Sequence, residues 1–234
     1  MREVKVEPKV TSISWPNSPP AGMKPFRWML DGGGRDLVVG IINRNGMRSV
    51  LEIGVFLGGG ALKLLDACPQ LHLHGLDIYD EPYPEAGSIG HYYLSNRRIY
   101  QSAIEGSGIS EDDFLRQMSR PNAQIDSMLS NLWHYRTRFT AVKGKSPGAL
   151  HGLASEGYVP DLVFLDADKS GSELRVISSL WPECIIAGDD WTWRNDSGVN
   201  PLHSVVYNIA AQREMSVITQ DATWVLEPHS RQLV

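Results

Sequence analysis

Three short segments hold residues whose types and spacing can do chemistry. The first is Leu51-Glu52-Ile53-Gly54-Val55-Phe56-Leu57-Gly58-Gly59-Gly60, an apolar run that ends in glycines just before a helical pattern. Glycines there let the chain turn tightly and let a ligand approach without Cβ atoms in the way, while the first amides of the helix face the cavity. The dinucleotide pattern G-x-G-x-x-G fails, because Phe56 stands at its second glycine and a ring there obstructs a pyrophosphate. An NAD-linked reaction is disfavoured. The second segment, Gly75-Leu76-Asp77, sets a carboxylate at the end of an apolar run, where it can accept both ribose hydroxyls of a nucleoside. A capping or turn aspartate is the plainer alternative.

The third segment runs from Leu162-Val163-Phe164-Leu165 into Asp166-Ala167-Asp168-Lys169, and Asp189-Asp190-Trp191 follows 23 residues after Asp166. Carboxylates at neighbouring strand ends face one crevice, so Asp166, Asp189 and Asp190 could share one cation. Oxygen-only ligands suit Mg²⁺, with Mn²⁺ or Ca²⁺ as variants, better than zinc. Without a cation or a cationic partner such a cluster repels itself. Solvated turn acids with a Lys169–Asp168 pair are the alternative.

These segments require elements that end at one place. Apolar runs bounded by turn signals occur at Ser49 to Ile53, Leu71 to Asp77, Arg138 to Val142, Asp161 to Asp166 and Glu183 to Ala187, then at Ser216 to Thr219 and Thr223 to Glu227. They alternate with helical patterns at Arg35 to Arg44, Gly59 to Ala67, Pro147 to Ser155, Ser172 to Leu180 and Leu202 to Arg213. This rhythm predicts an α/β fold: an open Rossmann-like sheet of five parallel strands plus a C-terminal antiparallel hairpin, with helices on both faces. Residues 1–30 read as an irregular arm, and residues 31–234 as one domain with a lid-like insertion at 78–135. The first half of the insertion, rich in Gly, Pro and Tyr, shows no sustained period. Its second half has a helix start at Ser110 with Glu111, Asp112 and Asp113 behind it, and a break or kink at Pro121.

Composition bounds the partners. The 234 residues are 42% hydrophobic and 21% charged, enough apolar material for a sizeable core. Twenty-two Lys and Arg against 27 Asp and Glu give a net charge of −5, which argues against nucleic acid and anionic membranes. Only Cys68 and Cys184 occur, both in apolar runs, so neither a disulfide framework nor a zinc site is expected. With no signal-like or membrane-length apolar stretch, the expectation is a cytoplasmic protein.

Taken in order, EIGVFLGGG, VKGKSPGAL, VFLDADKS and GDDWTW resemble the class I S-adenosylmethionine-dependent methyltransferases, and among them the metal-dependent O-methyltransferases. The likeness covers about Ser49 to Trp193, outside the insertion, and is nearest to the caffeoyl-CoA and catechol O-methyltransferases. The macrolide and aminocoumarin sugar O-methyltransferases and the cephalosporin hydroxylase-like proteins share the layout. It implies that Glu52, Gly54 and Gly58 shape the pocket for the methionyl part, that Asp77 holds the ribose and that Gly144 to Ser146 approach the adenine. It further implies Asp166, Asp189 and Asp190 as ligands of Mg²⁺ or another divalent cation, with Asp166 also bordering the cofactor. The base that takes the acceptor's proton is then Lys169, as in the catechol type, or Asp168, as in the sugar type; DADK is the closer string to the former. Asp190 departs from the asparagine of the caffeoyl-CoA type and matches the sugar type, which counts against a catechol or phenylpropanoid acceptor.

The resemblance thus implies O-methylation of a hydroxylated small molecule, a sugar, vicinal diol or phenolic natural product, within secondary metabolism, by a homo-oligomer. Trp191 and Trp193 are candidates for the floor of the acceptor pocket, and His91, Tyr92 and Tyr93 for an aromatic lid or an oligomer contact. His72 and His74 face one side of a strand and read as packing residues. A metal-independent methyltransferase and a non-catalytic adenosyl-ligand binding module are the competing readings.

Overall fold

Five apolar runs lie side by side in parallel: β2 (Ser49–Ile53), β3 (His72–Asp77), β4 (Phe139–Lys143), β5 (Leu162–Leu165) and β6 (Ile185–Gly188). The computed structural model describes residues 10–27, 34–79, 88–167 and 171–228. In it β1 (Thr11–Ser12) borders one edge, β7 (Met215–Gln220) and β8 (Thr223–Pro228) the other, in the order β1-β4-β3-β2-β5-β6-β8-β7. The last two strands pair antiparallel, as the hairpin-length link at residues 221–222 requires, and β8 also runs antiparallel to β6.

Strands buried on both faces read as near-continuous apolar runs, and the period of two splits their side chains between two core layers. Val50 and Phe164 point to the layer under α1 (Arg35–Arg44) and α2 (Gly59–Ala67); Leu51, Ile53, Val163 and Leu165 point to the opposite layer, under α7 (Gly148–Ser155), α8 (Ser172–Leu180) and α9 (Pro201–Gln212). Cys68 and Cys184 are free, buried thiols in these layers. Arg138, just before β4, donates to the carbonyls of Leu65, Cys68 and Leu71 and so satisfies the end of α2.

Two elements differ from expectation. The N-terminal segment contributes β1, antiparallel to β4 and steadied by Trp15 Nε1 donating to Phe139 O (3.2 Å); its two residues are too few to carry a pattern. Between β3 and β4, residues expected to lack helical period form α3 (Ile89–Ser95) and α4 (Arg97–Glu105). Ser88 caps α3 by accepting the His91 amide, but seven residues span only two turns, below the window in which a period is visible. The capped start at Ser110 opens α5 (Glu111–Met118), and around Pro121 the helix stops and restarts as α6 (Ala123–Asn131). These helices build a third apolar cluster that includes Phe114, Tyr93 and Ile89 and takes in Met23 and Phe26 from the N-terminal segment. Among the described residues no helix is long and apolar enough to cross a membrane.

Candidate functional site

In a parallel sheet the carboxyl ends of the strands share one edge, and ligands bind where neighbouring strands are connected in opposite directions. Here that point lies between β2 and β5, where Ile53 pairs with Leu165. A cavity of about 1160 Å³ opens there. Its walls are Glu52 and the turn that follows, Asp77, the segment 144–147, Asp166, Asp189 and Asp190; Tyr92, Tyr93, Tyr100 and Phe114 come from the helices between β3 and β4.

The turn after β2 needs its glycine. Gly54 has φ +90°, and a Cβ there would lie 2.1 Å from the carbonyl oxygen of Asp166, a clash of backbone that cannot be relieved by a rotamer. Asp77 staples the same turn: its Oδ2 accepts the amides of Val55 (2.8 Å) and Phe56 (2.9 Å), and its Oδ1 accepts the amide of Tyr79 (2.9 Å) and Nε2 of Gln124 (3.2 Å). Gly58, expected to shape the pocket, instead packs under Leu132, with Gly59 and Gly60 taking its place in the wall. It starts α2 with φ +82°, a conformation that glycine adopts without strain.

Glu52 is 1% exposed, and its Oε1 accepts Nη1 of Arg35 (3.3 Å). The other end of that guanidinium, Nη2, donates to Asp166 Oδ2 at 2.5 Å, and the group lies 4.4 Å over the Phe164 ring. Burial pushes the Glu52 carboxyl up to about 8 against the pull of Arg35, with Asp166 and Asp77 adding to the rise. Thus Arg35 bridges the ends of two strands and supplies one charge to two carboxyl groups.

Asp166, Asp189 and Asp190 all line the cavity, but among the described residues no group of three or more His, Cys, Asp or Glu side chains is arranged to hold a metal ion. As placed, the three carboxylates are engaged within the chain and not grouped about one cation position. Arg35 already holds Asp166, and Asp189 Oδ1 accepts the amide of Asp190, whose backbone is left-handed at φ +64°. Asp168 and Lys169, the two candidate bases, lie outside the described residues.

Gly144 and Ser146 border the cavity, and Ser146 Oγ donates to Glu173 at 2.5 Å. Trp193 is in the wall, as are Tyr92 and Tyr93, whereas His91 is exposed and outside it. Trp191 turns instead to α9, where its ring lies 4.0 Å from that of His203. His72 and His74 are packing residues: the His74 ring sits 4.3 Å from Tyr158, and burial, with the neighbouring His72 charge, pulls its imidazole down to about 4. Sequence reasoning missed Arg35 and Gln124. A crevice rich in acids signals that a countercharge is needed, but nothing in a run such as Gly34-Arg35-Asp36 says that this arginine supplies it.

No protein-family model matches the chain, and no curated protein matches it by sequence. Solved structures do. A candidate caffeoyl-CoA O-methyltransferase from Staphylococcus aureus superposes with TM-score 0.51 at 14% identity over 85% of each chain. The O-methyltransferase TomG from Streptomyces achromogenes, involved in tomaymycin synthesis and solved in complex with S-adenosylmethionine, superposes with TM-score 0.50 at 16% identity, covering 82% of this chain and 78% of that one. Identities this low speak to architecture, and with the strand order described above they establish that this chain has the α/β fold of class I O-methyltransferases.

Proposed function

We propose that the protein transfers a methyl group from S-adenosylmethionine to a hydroxyl of a small molecule. The observation that carries this reading is the meeting of the Gly54 turn, Asp77 and the segment 144–146 around one cavity at the carboxyl edge of a methyltransferase-type sheet. Its volume, about 1160 Å³, is above the usual range for a single small ligand and suits a nucleoside–amino acid together with an acceptor.

The sulfonium supplies an electrophilic methyl group; the acceptor oxygen displaces S-adenosylhomocysteine in line, and the hydroxyl proton leaves to a base. The chain's part is mostly position. Gly54 lets the turn after β2 pack against the Asp166 backbone and so fixes the cavity wall, Tyr92, Tyr93 and Phe114 keep water from the site, and Lys169 or Asp168, next after Asp166 and Ala167 in the sequence, takes the proton. Lys169 would act as base only with its ammonium destabilised by burial or a neighbouring cation. A second reading adds Mg²⁺ on Asp166, Asp189 and Asp190. It is supported by the presence of all three carboxylates in one wall, and it requires Arg35 to give up Asp166.

The test is methyl incorporation from labelled S-adenosylmethionine into a panel of sugars, vicinal diols and phenols, with and without EDTA. Incorporation that survives EDTA supports the reaction without an ion, and loss restored by Mg²⁺ supports the second reading. Binding of S-adenosylhomocysteine with no transfer to any acceptor would leave a binding module in place of an enzyme.

A further inference from the structure

Arg35 stands in the cavity wall, and the chain makes room for its guanidinium at a cost to the neighbouring helix. Gly60 is the second residue of α2, where glycine is a poor helix former, and its backbone is not left-handed. What it provides is space: a Cβ there would lie 2.5 Å from Nη1 of Arg35, 2.6 Å from its Cζ and 2.4 Å from Glu52 Oε1. The guanidinium thus lies against the first turn of α2, whose amides have no partner within the helix and whose Gly59 and Gly60 line the same cavity. Its Nη2 end reaches Asp166, a cavity residue whose side chain is 30% exposed, so this end meets the open part of the crevice. As a purely structural group such an arginine is a poor choice, because well-packed apolar side chains in place of a buried ion pair are often neutral or stabilising.

Strand order says which part of the cosubstrate arrives there. Along the carboxyl edge the strands come as β4, β3, β2, β5. With the adenine at residues 144–146 after β4 and the ribose at Asp77 after β3, the amino-acid end passes the Gly54 turn and falls between β2 and β5, where Arg35 joins Glu52 to Asp166. A simple anion would meet two carboxyl groups there against one guanidinium. An α-amino acid head group brings its own ammonium to stand against them, and a guanidinium, with five donors in one plane, serves more than one carboxyl group at a time. We infer that Arg35 receives the α-carboxylate at the methionyl end of the cosubstrate, with the first turn of α2 behind it and Asp166 beside the ammonium. This inference rests on the proposed methyltransferase reading of the cavity. It adds to the site a residue at the start of α1, outside the span from Ser49 to Trp193 that carries the resemblance.

The experiment is calorimetric titration of S-adenosylhomocysteine and its decarboxylated analogue, the same thioether ending in a propylamine, into wild-type protein and Arg35→Gln. Wild type is expected to bind the analogue at least about tenfold more weakly than the parent, the scale of one charge-assisted hydrogen bond. Arg35→Gln is expected to lose about the same factor for the parent and little further for the analogue, so that the two ligands bind alike. Equal affinity of wild type for the two ligands would overturn the inference. So would a variant that weakens both by one factor and keeps the full discrimination, since Arg35 would then act only by holding Asp166 and Glu52. Thermal melts check that the variant folds; if it does not, Arg35→Lys keeps the charge without the planar fork and is expected to narrow the same discrimination. Failure of wild type to bind S-adenosylhomocysteine at all would instead contradict the methyltransferase reading.

Discussion

At Glu52, burial outweighs a guanidinium 3.3 Å away, and the carboxyl titrates near 8. Near neutral pH one proton and one guanidinium therefore serve two carboxyl groups, with the Arg35 charge matched by Asp166. The sign of the linkage follows. The folded chain keeps a proton on Glu52 that the unfolded chain, at about 4.5, has released, so stability falls as pH rises between these values. His74 works in a different window. Its imidazole is held near 4 against 6.5 when unfolded, so its contribution is complete above 6.5 and is lost as pH falls. Between pH 6.5 and 8 thermal melts of wild type should thus show falling stability, and Glu52→Gln, which keeps the neutral shape, should flatten the slope; an unchanged slope would remove Glu52 as its source. The strand-end positions of Gly54 and Asp77 were legible in the sequence because each closes an apolar run, whereas Glu52, inside β2, came only with the family resemblance. Arg35 was not, because its partners stand 17 and 131 residues away and a helix-opening arginine is usually a surface residue.

At the scale of elements, Asn131 at the end of α6 ties three segments together. Its Oδ1 accepts the amide of Phe26 (2.7 Å), and its Nδ2 donates to the carbonyl of Leu57 (2.8 Å) in the glycine turn. Asn131→Ala leaves both backbone groups buried without their partner and should cost roughly 2–4 kcal/mol in urea unfolding, with weaker S-adenosylhomocysteine binding through the loosened turn. A loss below ~1 kcal/mol would show that these bonds are readily replaced. The strands and flanking helices were readable because their patterns are long and their ends marked by glycine or proline, and α1, α2 and α8 begin and end where the sequence reading put them. The helices between β3 and β4 were only half readable. Ser110 with its three acids declares α5, while α3 is too short to show a period and is held by tertiary packing of Ile89 and Tyr93 on the third apolar cluster.

For the whole molecule, the two layers around the sheet and the smaller cluster formed by α3, α5 and the Met23–Phe26 segment are separate apolar cores. The smaller one has less buried apolar surface to protect its hydrogen bonds, so amides of residues 89–118 should exchange faster than those of β2 and β5. Since Tyr92, Tyr93 and Phe114 line the cavity, S-adenosylhomocysteine should slow exchange there and in the Gly54 turn while leaving β7 and β8 unchanged. Uniform slowing across the chain would count against a site at the sheet edge. The open α/β plan followed from the rhythm of runs and helices, whereas the convergence of Arg35, Gln124 and the acids on one crevice is a property of strand order that no local pattern carries.

The central claim is that this crevice binds an adenosyl cosubstrate. Calorimetric titration of S-adenosylhomocysteine into EDTA-treated wild-type protein tests it most directly. One equivalent bound with micromolar affinity is the predicted result. No binding at any attainable concentration, by a protein whose melt shows it folded, would contradict the claim and leave the fold without the function proposed for it.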